Sequence, residues 1–225
     1  MTERRSSLRG AARSPWPQRT TFWAGLCLTV AAGLLLLDSA HLELPLLEDL
    51  TVPLSGWALG FVGSVVLLLG FVALAFGVGG ELGVAGTSRL GRICLLVWGA
   101  VPVASALVTL LPWNVQSTPA LVVVPLMLLQ PLSAVAAVIG GNVVGRARVL
   151  DGLIGWALLP VAVVHGAIVL AQSIPAPGPI AALVGLFEPA SLLQLGLLLA
   201  AGIAFLLHGR IEAVKHRARA IEQHW

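Results

Sequence analysis

The chain has 225 residues, of which 58% are hydrophobic and 10% carry a charge, against about 25% charged in an average soluble domain. Its mean hydropathy is +0.97, and a soluble fold of this length cannot bury so much apolar surface. A disordered chain, a disulfide-stapled scaffold and an ordinary soluble enzyme are therefore excluded, and the composition predicts an all-α, polytopic membrane protein.

Charge-free stretches of the chain predict six transmembrane helices, since a helix needs about 20 apolar residues to cross a bilayer. The longest stretch lies between Arg92 and Arg146 and is long enough for two spans. Residues 111–119, rich in polar residues and proline, divide it in the middle. The predicted spans are 21–38, 56–78, 92–112, 119–142, 152–172 and 189–208.

The basic residues predict the orientation of these spans. In a six-span chain all 13 Lys and Arg residues fall on one side of the membrane. The other side carries five acidic residues: Asp38, Glu43, Glu48, Asp49 and Glu188. The positive-inside rule therefore places both termini in the cytoplasm of a cell whose plasma membrane holds the protein. The same arrangement turns the positive charge toward anionic lipid rather than nucleic acid.

Two segments flank the predicted bundle of residues 21–208. Residues 1–20 are rich in Arg, Ser and Pro and are expected to form a disordered basic tail, although Arg4-Arg5 and the apolar run that follows also resemble a cleavable signal. Residues 209–225 place an apolar residue every three or four positions, with basic residues between them. This spacing predicts a cytoplasmic amphipathic helix that lies on the membrane surface, docks on a partner or pairs with a second copy.

Small residues predict where the helices approach closely. Gly56, Gly63, Gly70 and Gly77 follow one another at intervals of seven and are expected to form one contact face of the second span. Gly141 and Gly145 form a GxxxG pair in the fourth. Both patterns fit packing within the bundle, and a subunit interface is the alternative.

Polar side chains within five different spans lie at similar depth, about 7–17 Å from the predicted outer ends. They are Ser64, Ser105, Gln130, His165 and Gln194. Because an unpartnered polar group in hydrocarbon is costly, these side chains are expected to face the bundle interior. One interpretation is an outward-facing ligand pocket with His165 at its floor and Asp38, His41 and Glu188 at its mouth. The other is a set of hydrogen bonds that hold the helices together.

Motifs for catalysis or metal binding do not occur in the sequence. It contains no HExxH, Walker loop, GxSxG or Cys-His cluster. Cys27 and Cys94 are interpreted as small packing residues near the cytoplasm, and His208, His216 and His224 as solvated tail residues. We therefore expect a protein that is not an enzyme and that needs no cofactor or metal.

Several short motifs resemble a bacterial six-span family known as domain of unknown function 998. They are Pro53-Leu54-Ser55 before the second span, Gly60-Phe61 within it, Leu111-Pro112 at the end of the third and Gly185-Leu186-Phe187-Glu188 at the start of the sixth. Pro189 and Trp113-Asn114 depart from the family pattern. The resemblance covers most of the bundle and implies a six-span fold with no assigned activity.

Two functions are favoured by these features, and a membrane enzyme that acts on lipids through His165 is a third alternative. The first is a non-enzymatic membrane protein that binds a lipid, a small apolar ligand or a partner in the outward-facing pocket. The second is the membrane subunit of a small-molecule transporter, such as a vitamin-binding or permease component. Membrane lipids are the expected surroundings in both cases, with a second copy or a partner subunit as a possible neighbour.

Overall fold

The computed structural model describes residues 18–43, 56–109, 120–147, 149–150, 152–173 and 187–222. Within these ranges every regular element is a helix. The helices are α1 (Gln18–Glu43), α2 (Gly56–Phe76), α3 (Arg89–Thr109), α4 (Ala120–Arg146), α5 (Leu158–Ser173) and α6 (Phe187–Glu222), with a 3-10 helix, Gly152–Trp156, before α5. All six predicted spans are thus confirmed as helices, and six stretches are long and apolar enough to cross a membrane.

The six helices form a closed ring. Each packs against its neighbours in the sequence, and α6 packs back against α1. Successive helices run in opposite directions, so one end of the ring holds Arg19, Arg89 and Arg146, while Asp38 lies at the other. We call these the basic end and the opposite end.

The closest helix crossing joins α1 to α6, where two glycines let the backbones touch. A Cβ atom added at Gly25 would lie 2.6 Å from the Gly202 carbonyl oxygen, and one at Gly202 would lie 2.7 Å from the Thr29 nitrogen. Atoms cannot approach that closely, so any side chain here would push the helices apart. This crossing was not expected from the sequence.

The predicted glycine face of α2 is confirmed at two of its positions. Gly63 is buried against Leu34 and Leu35 of α1, and Gly70 is buried against Cys27 and Leu28. Gly56 is the first residue of α2, and its contacts are outside the described part of the structure.

The prediction that Gly77 belongs to this face is wrong, because α2 ends at Phe76. Gly77 has φ +82 and its N–H donates to the Ala73 carbonyl at 2.9 Å. It therefore terminates the helix in the left-handed conformation that glycine adopts readily.

The GxxxG pair of α4 packs within the chain. Gly141 lies against the backbone of Leu158 and Leu159, and Gly145 lies against the ring of Trp156. The pair therefore holds α4 to the start of α5, as the interpretation of packing within the bundle predicts.

The loop between α2 and α3 binds the start of α1 at the basic end. The Glu81 carboxylate accepts hydrogen bonds from the N–H groups of Arg19 (3.1 Å) and Thr20 (2.8 Å). The Thr20 hydroxyl in turn accepts from the N–H of Val78 at 2.9 Å. Glu81 thus satisfies two of the N–H groups that the first turn of a helix leaves unpaired.

The C-terminal segment is not a separate helix, because residues 209–222 continue α6 without interruption. The 36 residues of α6 span about 54 Å at 1.5 Å per residue. This exceeds the roughly 30 Å of bilayer hydrocarbon, so α6 extends beyond it. Ile211 and Val214 are exposed on this extension, whereas His208, expected to be solvated, is 9% exposed.

Candidate functional site

The buried core occupies the middle of the ring and its basic end. Toward the opposite end, the last buried residues are Val101 on α3, Ser133 on α4 and Leu198 on α6. The described side chains beyond them on these three helices are all partly or fully exposed. On α5, by contrast, Val169 is buried toward the opposite end, at 4% exposure. The ring is therefore tightly packed at one end and loosely packed at the other.

Helix α4 shows that the interior itself is open at the loosely packed end. Its inward face runs from Val144 through Ala137 and Ser133, at intervals of seven and four, and all three residues are buried. Gln130 comes next on the same face, three residues further, and it is exposed. The outward face of α4 is different and is marked by exposed Leu128, Leu132 and Val135. Gln130 is therefore exposed on the face of α4 that forms the core further along the helix, and not on the face marked by the exposed leucines.

Helix α6 repeats this change from apolar to polar along its inward face. Phe205, Ala201 and Leu198 are buried at intervals of four and three. Gln194 and Ser191 continue the series, partly and fully exposed respectively. The same face that builds the core at the basic end therefore presents polar groups at the opposite end.

Helices α3 and α5 complete the polar region. On α3, Ser105 follows buried Trp98 by seven residues, and on α5, His165 follows buried Leu158 by seven. Residues seven apart lie on nearly the same side of a helix. We call the region formed by Ser105, Gln130, His165 and Gln194 the polar vestibule.

His165 joins three helices through its imidazole ring. Its Nε2 lies 2.6 Å from the Ser133 hydroxyl of α4, and its Nδ1 lies 3.2 Å from the Gln194 amide nitrogen of α6. With the amide in this orientation, Gln194 donates to Nδ1, so the ring proton is on Nε2 and is donated to Ser133. His165 is therefore held in one orientation by a partner at each ring nitrogen.

A second hydrogen bond joins α4 to α3 above this level. The Gln130 amide nitrogen donates to the Ser105 hydroxyl at 3.2 Å. Gln130 and Ser133 are one helical turn apart, so α4 contributes to both polar pairs. These contacts hold the helices together, while Gln130 as a residue remains exposed.

Aromatic rings form the floor of the vestibule. The centroid of Trp98 lies 4.6 Å from that of Phe71 and 6.3 Å from that of His165. Phe71 and Trp98 are 0% and 3% exposed. The three rings reach from α2 through α3 to α5 and close the interior toward the basic end.

The structure separates the predicted site residues into two groups. His165 and Gln194 contact each other, and so do Gln130 and Ser105. Ser64 does not join either pair in the described structure, because its hydroxyl donates to the Gly60 carbonyl of its own helix at 2.8 Å. Asp38 lies against Gly60 between α1 and α2. The side chains of Glu188 and His41 are outside the described part of the structure.

Sequence reasoning missed two residues of this region, Ser133 and Trp98. Each had a usable signal, since Ser133 is one turn from Gln130 and Trp98 is two turns from Ser105. A serine in an apolar helix and a tryptophan in a span are both common, so neither stood out until the inward faces were known.

The Ser133–His165 pair resembles a nucleophile with its base but lacks the surroundings that catalysis needs. Ser133 is 1% exposed and lies within α4, where its backbone N–H belongs to the helix. Gln194 is uncharged, so it cannot stabilise an imidazolium as a carboxylate does. Among the described residues, no three His, Cys, Asp or Glu side chains are grouped to hold a metal.

Six apolar helices in a ring with a polar vestibule define a multi-pass membrane protein. Comparisons with protein-family models, with curated proteins and with solved structures find no match for this chain.

Proposed function

We propose that this protein is a non-enzymatic membrane protein that binds a lipid or another small apolar ligand in the polar vestibule. The exposure of Gln130 on the inward face of α4 carries the proposal. An amide in hydrocarbon forgoes hydrogen bonds worth about 1–3 kcal/mol unless it finds a partner. The amide nitrogen of Gln130 already donates to Ser105, and a bound molecule with a polar group would supply a partner for the remaining donor and acceptor positions of the amide.

The vestibule is proposed to face outward in the plasma membrane of a bacterial cell. All 13 basic residues belong to the basic end or to the two termini in a six-span chain, and the positive-inside rule puts that end in the cytoplasm. Membership of the family known as domain of unknown function 998 is part of the same proposal, and it adds no activity.

Cysteine labelling from outside the cell tests whether the vestibule is open. In a chain with Cys27 and Cys94 replaced by alanine, Gln130→Cys should react with a membrane-impermeant thiol reagent. Two matched controls lie on the same helix. Ala137→Cys should be protected by burial, and Leu132→Cys should be unreactive because hydrocarbon disfavours the thiolate. Equal protection of all three positions would contradict the proposal.

Lipid extraction from the purified protein tests occupancy. A ligand of the vestibule should be recovered from the natural chain and at a lower level from Gln130→Leu and Gln194→Leu. Ser64→Ala is the control, because its hydroxyl bonds within α2 and outside the two polar pairs. A lipid profile identical in all four proteins would argue against a specific site.

A transport subunit is the second candidate function. An interior that is closed at the basic end and open at the other is also the form in which a transporter receives its substrate. Purification in mild detergent distinguishes the candidates. A transport subunit should bring an ATPase with it, whereas a binding protein should be recovered alone or as a complex of identical copies.

A further inference from the structure

We propose that the ligand of the polar vestibule is an uncharged lipid whose headgroup carries a hydroxyl. This inference rests on the proposed function and adds the chemical class of the ligand. Three observations support it: the uncharged groups of the vestibule, the distribution of charge along the chain, and the weak packing between α5 and α6.

The groups of the vestibule match a hydroxyl. Ser105, Gln130, His165 and Gln194 are uncharged side chains. Both ring nitrogens of His165 are engaged, so the amides of Gln130 and Gln194, each with a carbonyl acceptor and two N–H donors, supply the groups that would donate to and accept from a ligand. A hydroxyl is likewise a donor and an acceptor. Trp98 and Phe71 close the bottom with apolar surface, so a bound headgroup would be enclosed on its inner side.

The distribution of charge disfavours an ionic headgroup. The Lys and Arg residues of the chain lie before α1 or in its first turn, in the first turn of α3, at the end of α4 or just after it, and from position 210 onward in α6. A phosphate among the vestibule groups would therefore have no basic side chain from the same level of the helices as a counterion. Asp38, the described carboxylate at the opposite end, is already engaged in a polar interaction. The polar side chains of the vestibule itself are uncharged, so a permanently cationic headgroup bound among them would have no counterion within the vestibule.

The boundary between α5 and α6 is the weakest of the ring. These two helices pack less extensively than any other neighbouring pair, and their apolar spans have the smallest buried shares of the six, 28% and 22%. Their outer turns are exposed at Leu170, Gln172, Leu192 and Leu193. Apolar exposed residues beside a polar vestibule suit a lipid that enters from the bilayer more than a water-soluble molecule.

Three lipids with identical chains test the inference by native mass spectrometry of the full-length protein. They are dioleoylglycerol, which is uncharged, dioleoylphosphatidylglycerol, which is anionic, and dioleoyl-trimethylammonium-propane, which is cationic. Dioleoylglycerol should be retained several-fold better than the other two. Gln130→Leu and Gln194→Leu should each weaken its retention about two- to tenfold, the loss expected for one hydrogen bond. Ser64→Ala should leave retention unchanged.

A charge placed in the vestibule provides the reciprocal test. Gln130→Lys should move the preference toward dioleoylphosphatidylglycerol, because the exposed amide is replaced by a cation at the same position. Thermal stability of each variant, measured without lipid, shows whether the fold is retained.

The outcomes separate this inference from the function on which it rests. Preference of the natural chain for either charged lipid, or equal retention of all three, overturns the uncharged headgroup and leaves the vestibule in place. Failure to retain any lipid while Gln130→Cys is labelled overturns a lipid ligand. Failure of both retention and labelling overturns the proposed function itself.

Discussion

At the scale of single residues, His165 is the side chain whose contacts are most constrained. It meets Ser133 on one side and Gln194 on the other, and its ring follows Trp98 and Phe71 across the interior. A histidine with both ring nitrogens engaged by uncharged partners is held in place without a countercharge. This arrangement suits a site that recognises polar groups by hydrogen bonding.

Replacement of His165 by phenylalanine should destabilise the protein. Ser133 is 1% exposed and would lose the hydrogen bond to His165. A buried group left unsatisfied costs about 1–3 kcal/mol. The free energy of unfolding in detergent should fall by about that amount, and Ser133→Ala added to His165→Phe should recover part of the loss. A double variant that shows the sum of two independent losses would contradict this coupling.

At the scale of helices, glycines and a distant carboxylate set how the elements meet. Gly25 and Gly202 bring α1 and α6 into backbone contact, while Glu81 holds the first turn of α1 from the loop after α2. Both devices act on α1, which contacts α2 on one side and α6 on the other. Helix α1 therefore closes the ring by its contact with α6, and its own first turn is held by the loop that follows α2.

The α1–α6 crossing predicts a position-specific response to added methyl groups. Gly25→Ala should lower the free energy of unfolding by about 1–3 kcal/mol or more, because its Cβ would strike the backbone of α6. Gly33→Ala on the same helix is the matched control, since no atom lies within 4 Å of its Cβ. That change should be neutral or slightly stabilising, because alanine favours a helix more than glycine does. Equal effects at both positions would refute the backbone contact.

The carboxylate of Glu81 should protect the start of α1. Glu81→Ala removes both acceptors and should cost about 0.5–2 kcal/mol, the range measured for helix caps. Hydrogen exchange should accelerate at the N–H groups of Arg19 and Thr20. Glu81→Gln keeps one acceptor and should have a smaller effect. Unchanged exchange in Glu81→Ala would show that the carboxylate is dispensable.

At the scale of the whole molecule, the ring combines a dry core with a polar vestibule at the opposite end. The two regions lie on the same inward helix faces, and the change occurs between Trp98 and Ser105 on α3 and between Ser133 and Gln130 on α4. The buried contacts that stabilise the fold lie toward the basic end, and the exposed or partly exposed polar side chains lie toward the opposite end. A ligand could therefore bind without the core having to open.

Labelling of single cysteines in intact cells should establish the topology. Cysteines at positions 45, 115 and 178 lie in the three connections on the acidic side of the six-span chain and should react with an impermeant reagent from outside. Thr87→Cys, in the exposed loop at the basic end, should be protected. Protection of position 115 together with labelling of position 87 would reverse the orientation.

The sequence alone determined the number and approximate limits of the helices, because the requirement for about 20 uncharged apolar residues is local to each segment. It also placed Gly63 and Gly70 in a contact face and identified four polar side chains of the vestibule, since polar groups in spans are rare. In both cases the residue type carries the information, and neighbours are not needed to interpret it.

The tertiary structure decided which groups meet. Ser64 and Ser105 are the same residue type in similar spans, yet one bonds to its own helix and the other to Gln130. The partners of Gln194 and the contact of Gly25 with Gly202 depend on which helices are adjacent and how they are rotated. Adjacency and rotation arise from packing summed over the whole ring, and no single segment contains that information.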